Sequence, residues 1–244
     1  MTQSNHNRQG LFVTGTDTGV GKTIVTAALV HALTIQGLKA GVMKPIETGA
    51  PANAFADSDW LISVTGTPHQ PGLITPYRFK TAAAPLVAAT AEGVTIDPTR
   101  IVSALEELSS RHDCLIVEGI GGVLVPVTED LLVVDLIRMM GLPALIVARS
   151  GLGSINHSLL TVEGLRTRGI PILGFIFNNC IRPPPDADRH RTIPTILQLT
   201  GLASYGELPY CEGLPETWEQ HRDSLSAAID VDSLLQVIGL RGIT

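Results

Sequence analysis

Residues Leu11–Ile24, LFVTGTDTGVGKTI, run from an apolar segment through a loop of Gly, Thr and Asp into a helix-forming segment that continues VTAALVHAL. The order is strand, phosphate-binding loop, helix N-terminus, and Gly21-Lys22-Thr23 is the closing part of a P-loop. Glycines let successive backbone N–H groups turn inward as a nest for phosphate oxygens. The helix behind the loop adds its free N–H groups and the positive end of its dipole. In this reading Lys22 neutralises β- and γ-phosphate charge and the Thr23 hydroxyl ligates Mg²⁺. The pattern G-x-x-x-x-G-K-[ST] meets Thr16 at its first position here, with Gly15 one residue earlier. A Gly-rich turn that binds nothing is the alternative, and it leaves Lys22-Thr23 without a structural use.

The 244 residues, with strand and helix signals evenly alternating, point to a single domain over residues 10–244, preceded by a disordered leader over 1–9. Hydrophobic residues make up 44% and aromatics only 4%, so Val, Ile, Leu and Ala must fill the core. That composition suits a parallel sheet covered on both faces. A net charge of −6 argues against nucleic acid or an anionic membrane as the main partner. An anionic ligand must then be held by a few placed lysines and N–H groups. Cys114, Cys180 and Cys211 form no C-x-x-C pair and read as reduced thiols of a cytoplasmic protein. The polar start MTQSNHNRQG is no signal peptide, and Leu131–Ala148 is broken by Asp135, Arg138, Gly141 and Pro143. It falls short of the ~18 apolar residues of a membrane span.

Along the chain, the first unit closes near Gln36-Gly37, and a second strand over Lys39–Met43 stops at Lys44-Pro45, since Pro cannot donate to a ladder. Asp57 or Ser58 caps a short helix, residues 66–84 read as irregular, and 85–92 as another short helix. Asp97-Pro98 opens a helix with Ile101, Leu105 and Leu108 on one face. Strands are expected at Cys114–Val117, Ala144–Ala148, Ile172–Phe177 and Ala203–Glu207. Helices are expected at 130–140, Ser154–Arg168, 188–200 and, as one last element, 224–238. The alternation implies a doubly wound, mostly parallel sheet with helices on both faces. Ligands of such sheets sit beyond the carboxyl ends of the strands, so the residues ending each strand carry the functional reading.

Lys44 ends the second strand beside the P-loop and reads as a second cation aimed at a phosphoryl group. Glu118 follows Leu115-Ile116-Val117 in a Walker-B-like arrangement for Mg²⁺. Asp59, taken alone, reads as a helix cap. Asn178 either satisfies local backbone or reads an adenine edge through its amide. Gly153-Ser154-Ile155-Asn156 is a glycine turn feeding a helix N-terminus, open between an anion site and ordinary capping by Ser154. The seven histidines show no metal spacing, and no serine sits in G-x-S-x-G.

The set VTGTDTGVGKT, MKPIETG, SD, VEGIGG, GSINH, FNN and GELP, in this order over essentially the whole chain, closely resembles the dethiobiotin synthetase family. The resemblance implies an ATP- and Mg²⁺-dependent cyclo-ligase that closes a ureido ring on 7,8-diaminononanoate with CO₂ or bicarbonate. It implies a carbamate, then a carbamic-phosphoric anhydride, then release of ADP and phosphate. By motif, Gly19, Val20, Gly21, Lys22, Thr23 and Ile24 take the phosphates, and Lys44 with Lys22 is catalytic. Thr48 falls where the family contacts the diamine or carbamate. Thr23, Asp59 and Glu118 hold the metal, and the resemblance overrides the capping reading of Asp59. Glu118, Gly119, Ile120 and Gly121 line the nucleotide, while Asn178, Asn179, Pro209, Tyr210, Cys211 and Glu216 form the adenine end. Gly153 to Asn156 receive the substrate carboxylate from a neighbouring subunit, which implies a homodimer. Gly19 stands where some members carry Glu, and Thr48 where some carry Ser.

Two rivals share the loop. A septum-positioning or partition ATPase usually has a lysine early in the loop, where Asp17 stands here, and often an amphipathic tail that RGIT does not provide. A cobyrinate-type amidoligase would need a fused glutaminase region with a Cys–His pair.

Overall fold

The computed structural model describes residues 9–50, 56–68, 70–182 and 189–240. The chain opens with β1 (Gly10–Gly15), α1 (Lys22–Ile35), β2 (Ala40–Met43), β3 (Ile46–Glu47) and α2 (Asp57–Thr65). Next come α3 (Pro71–Ile74), β4 (Tyr77–Arg78), α4 (Pro85–Ala91), α5 (Pro98–Ser109) and β5 (Cys114–Gly122). The second half contains α6 (Val133–Met140), β6 (Ala144–Ala148), α7 (Ser154–Thr167), β7 (Ile172–Asn178), α8 (Arg189–Thr200) and β8 (Ala203–Leu208). Helices α9 (Trp218–Ala227) and α10 (Val231–Ile238) complete the described chain.

Six strands form one sheet in the order β2-β5-β1-β6-β7-β8, every neighbouring pair parallel. The chain runs out to β2, returns through β5 and crosses β1 to reach β6. Its direction of winding therefore reverses at β1, and the crevice of such a reversal is where ligands bind. All six residues of β1 are buried. The core is built from short aliphatics, with Phe12, Phe175 and Phe177 among its few large rings. Helix α1 buries Val25, Ala27, Ala28, Leu29 and Leu33, and its alanines let α1 lie close on the sheet. No helix among the described residues is long and apolar enough to cross a membrane.

The structure corrects the expected layout in two places. The stretch 66–84 is not irregular: it contains α3 and β4, and β4 pairs with β3 in a second, two-stranded parallel ladder. Lys44 N donates to Ile74 O at 2.9 Å and Phe79 N to Glu47 O at 2.8 Å, so these small elements hold the backbone around Lys44. The expected last helix over 224–238 is two helices. They part at Ile229, which bridges to Gly206, and Asp230 then caps α10 by accepting from Ser233 N. The expected leader lies outside the described residues except for Gln9, whose carbonyl accepts from Leu115 N.

Candidate active site

The P-loop runs from the end of β1 to the start of α1. Thr16 N donates to Val147 O at 3.0 Å, which ties the loop entrance to β6. Gly19 and Gly21 take positive φ of 70° and 84°, conformations that open the nest at little cost for glycine. Lys22 folds back over the loop, its ammonium donating to Asp17 O at 3.1 Å and to Gly121 O at 3.0 Å. These carbonyls keep a buried cation at the mouth of the loop. Burial drives the Lys22 ammonium down to about 8, with Glu118 opposing the shift and Lys44 adding to it.

Glu118 lies in β5, beside Val13 of β1, and is 1% exposed. Its Oε1 accepts from the Thr23 hydroxyl at 2.9 Å and lies 2.9 Å from Lys44 Nζ. Its Oε2 is buried with no hydrogen-bond partner among the described residues. An orphaned buried carboxylate oxygen is costly, and a cation placed there would satisfy it. Asp57, the first residue of α2, brings Oδ2 to 2.8 Å from Lys44 Nζ and 3.3 Å from Thr23 Oγ1. Burial pulls the Lys44 pKa down, but Glu118, Asp57 and Glu47 outweigh it and raise the pKa above the ordinary lysine value. The Lys44 charge in turn holds Asp57 below the usual carboxylate range, against the effect of burial.

These groups line a cavity of about 410 Å³ bounded by Gly19, Gly21–Thr23, Lys44, Glu47–Gly49, Asp57 and Glu118–Gly121. A second, of about 190 Å³, lies between Ile24, Asn178–Cys180 and Pro209–Cys211 at the ends of β7 and β8. A third, of about 650 Å³, separates α2 from α9 and shares Thr23 and Asp57 with the first. There Trp60 and Trp218 meet edge to face, centroids 5.5 Å apart. Thr23 and Ile24, at the start of α1, are the hub from which all three open.

The chain is 47% identical over 202 residues to the ATP-dependent dethiobiotin synthetase BioD of Anaeromyxobacter dehalogenans strain 2CP-C, covering 83% of this chain and 90% of that relative. The chain belongs to the dethiobiotin synthetase family. The same enzyme of Bacillus subtilis strain 168 is 40% identical over 205 residues, 82% of this chain and 87% of the relative. A family model described as AAA domain matches residues 9–217. Membership makes the chain an ATP-dependent ligase. Among solved structures, the MinC:MinD cell division protein complex of Aquifex aeolicus aligns with a TM-score of 0.60 at 16% identity, over 97% of this chain and 98% of that one. A ParA family ATPase from Chlorobium tepidum aligns at 0.52 and 16%, over 94% and 92%. Those two likenesses are of fold alone.

The structure gathers Gly19, Gly21, Lys22, Thr23, Lys44, Thr48 and Glu118–Gly121 around one cavity, and Asn178, Asn179 and Pro209–Cys211 around another. Val20 is buried beneath the loop, and its carbonyl accepts from Asn178 Nδ2 at 2.9 Å. The Asn179 amide is committed to Ser150, Glu207 and the Leu208 carbonyl. Glu216 lines the tryptophan cavity and not the one bounded by Asn178, Asn179 and Pro209–Cys211. Gly153 and Asn156 are exposed at the start of α7, outside all three cavities.

Asp59, expected by motif at the metal, is bound through both oxygens by Arg78, at 3.1 and 2.5 Å, and its Oδ2 also accepts from Ala56 N. Asp57, two residues earlier and about 200° away around the helix, lies beside Thr23 and Lys44. Glu47, which stands inside MKPIETG, and Arg149 are neighbours of this cavity and loop to which the sequence assigns no role. The Arg149 guanidinium donates to Thr18 O and Gly19 O at 3.3 and 3.2 Å, pinning the loop from β6.

Proposed function

We propose that the chain closes the ureido ring of dethiobiotin from 7,8-diaminononanoate and CO₂ or bicarbonate, at the expense of ATP, in the cytoplasm. The observation that supports this reading is the convergence of two buried lysines, Lys22 and Lys44, with Thr23 and Glu118 on one cavity in a member of this family. CO₂ adds to one amine of the diamine, which loses a proton and becomes a carbamate. A carbamate oxygen takes the γ-phosphoryl group, the bond to ADP breaks, and a carbamic-phosphoric anhydride forms. The second amine attacks the carbamoyl carbon, the C–O bond to phosphate breaks, and the amine proton leaves.

Carbamate and triphosphate are both anions, and their approach is opposed most strongly in a site drier than water. Lys44, held charged by its carboxylate neighbours, screens the carbamate and the phosphoryl group in transit. Lys22 and the loop N–H groups hold the phosphates. Positioning and charge suffice, and no protein nucleophile is needed. Magnesium suits this donor set, since it takes one or two carboxylates together with phosphates. Thr23 Oγ1, the free oxygen of Glu118 and Asp57 would hold it, and it would supply further neutralisation of the phosphates. Thr48 faces the diamine, and the small cavity by Asn178 and Pro209–Cys211 takes the adenine. In a homodimer, Gly153 and Asn156 of a second copy meet the substrate carboxylate.

The test is carbon fixation. Purified protein given labelled bicarbonate should form an acid-stable product only when both the diamine and ATP are present. ATP hydrolysis without fixed label in the presence of the diamine would sink the assignment.

A further inference from the structure

Glu47 is a carboxylate buried three residues beyond Lys44, 4% exposed, in β3. Its Oε1 accepts from Ser58 N at 3.0 Å, and its Oε2 accepts from Ser58 Oγ at 2.5 Å. Lys44 Nζ lies 3.8 Å from Oε1, and Arg78 Nε 3.6 Å from Oε2. Burying a carboxylate costs several kcal/mol before its partners compensate, and an apolar side chain is often the more stable choice. What the carboxylate provides is a link between elements. Ser58 is the second residue of α2, and the residue before it is Asp57, whose Oδ2 returns to Lys44. Glu47, Ser58, Asp57 and Lys44 thus close a ring that spans β3, the first turn of α2 and the end of β2. Arg78, which also holds Asp59, braces this ring from β4.

We infer that Glu47 is a positioning residue for the reaction: it fixes the N-terminus of α2 and the Lys44 head group as one unit, so that Asp57 and Lys44 meet Glu118 and Thr23 together. The inference rests on the functional reading above. It assigns Glu47 no contact with nucleotide, since the phosphates are held by the P-loop. A carboxylate that merely anchored α2 would affect stability, and turnover only through it.

The experiment compares Glu47→Gln with the unmodified protein. The amide is isosteric, keeps an acceptor for Ser58 N and presents a donor to the Ser58 hydroxyl oxygen where the carboxylate accepted, while losing the charge. Turnover in the bicarbonate assay should fall about tenfold or more, with nucleotide Kd and KM for ATP within about twofold and the melting temperature within a few degrees. Ser58→Ala removes the hydroxyl and leaves the backbone donor, so kcat should fall in the same direction by less, again without a matching loss of nucleotide affinity. The inference is overturned if Glu47→Gln turns over at the unmodified rate. It is equally overturned if kcat, nucleotide affinity and melting temperature fall together in both variants. When the unmodified protein fixes label, a failure of these variants removes only the role of Glu47. When it fixes none, the functional reading falls and the inference with it.

Discussion

Gly21 meets the tightest demand in the site. A Cβ placed there would stand 1.9 Å from Asn178 Nδ2 and 3.2 Å from its Cγ, on a backbone already at φ 84°. Gly21→Ala must therefore push Asn178 off the Val20 carbonyl and distort the loop, at a cost of about 1–3 kcal/mol. A fluorescent nucleotide should bind about tenfold or more weakly to this variant. Gly19 has more room, the nearest neighbour to a Cβ being Arg149 Nη2 at 3.5 Å, but its φ of 70° still strains any L side chain placed there. Lys22, Thr23 and Lys44 were legible in position because each follows a strand or starts the helix behind one, and a parallel sheet collects those points at one edge. Glu118 lies there too, although β5 runs on past it to Gly122. The motif points to Asp59, whereas which acidic residue of α2 lies beside Thr23 depends on the rotational phase of the helix and on Arg78, 19 residues onward from Asp59. Glu47 stands inside MKPIETG without a role of its own, because its partner Ser58 becomes its neighbour only once β3 and α2 have docked.

Among the elements, the strands of the main sheet were legible because most are short, apolar and bounded by Gly, Pro or polar pairs, but β5, expected to stop at Val117, runs on to Gly122 because β1 pairs with it to Gly15. The β3–β4 ladder escaped notice because each of its strands has two residues, too few for any periodicity. The break between α9 and α10 was marked in the sequence by Asp230, a good N-cap, but the tether that enforces it is long-range: Asp230 N donates to Tyr205 O at 2.8 Å. At the start of β5, Cys114 lies fully buried, paired in register with Ala40 of β2. Burial, helped by Asp113, pushes its thiol up from 9.0 to about 12. The folded thiol therefore keeps its proton after the unfolded one has lost it. Its contribution to stability is complete below about pH 9 and declines as pH rises toward 12. The slope is up to about 1.4 kcal/mol per pH unit. Denaturant titrations between these limits should show a steeper loss for the parent than for Cys114→Ala, whose deficit in stability is constant below about pH 9 and narrows as pH rises.

At the scale of the molecule, the reversal of winding at β1 gathers the P-loop, Lys44, Glu118 and the cavity by Asn178 and Pro209–Cys211 along the carboxyl edge of one sheet. The net charge of −6 leaves anion binding to the placed cations there. One outer surface, along α7, carries exposed leucines. Leu152, fully exposed, precedes α7, and Leu160 on α7 is 60% exposed. Leu124 is also exposed, and its Cδ2 lies 3.9 Å from where a Cβ would stand on Gly164, one turn beyond Leu160. This apolar face adjoins Gly153 and Asn156, as the proposed homodimer requires. Leu152→Asp should shift sedimentation toward the monomer and raise KM for the diamine while sparing ATP binding. A dimer of undiminished stability would move the subunit contact elsewhere.

The pair of indole rings between α2 and α9 has a practical consequence. The chain contains two tryptophans, Trp60 and Trp218, and they touch. All indole emission from the protein therefore originates at one contact, three residues along α2 from Asp57. The molecule carries its own optical probe of that helix, and a ligand that shifts α2 will register as a change in fluorescence without any label.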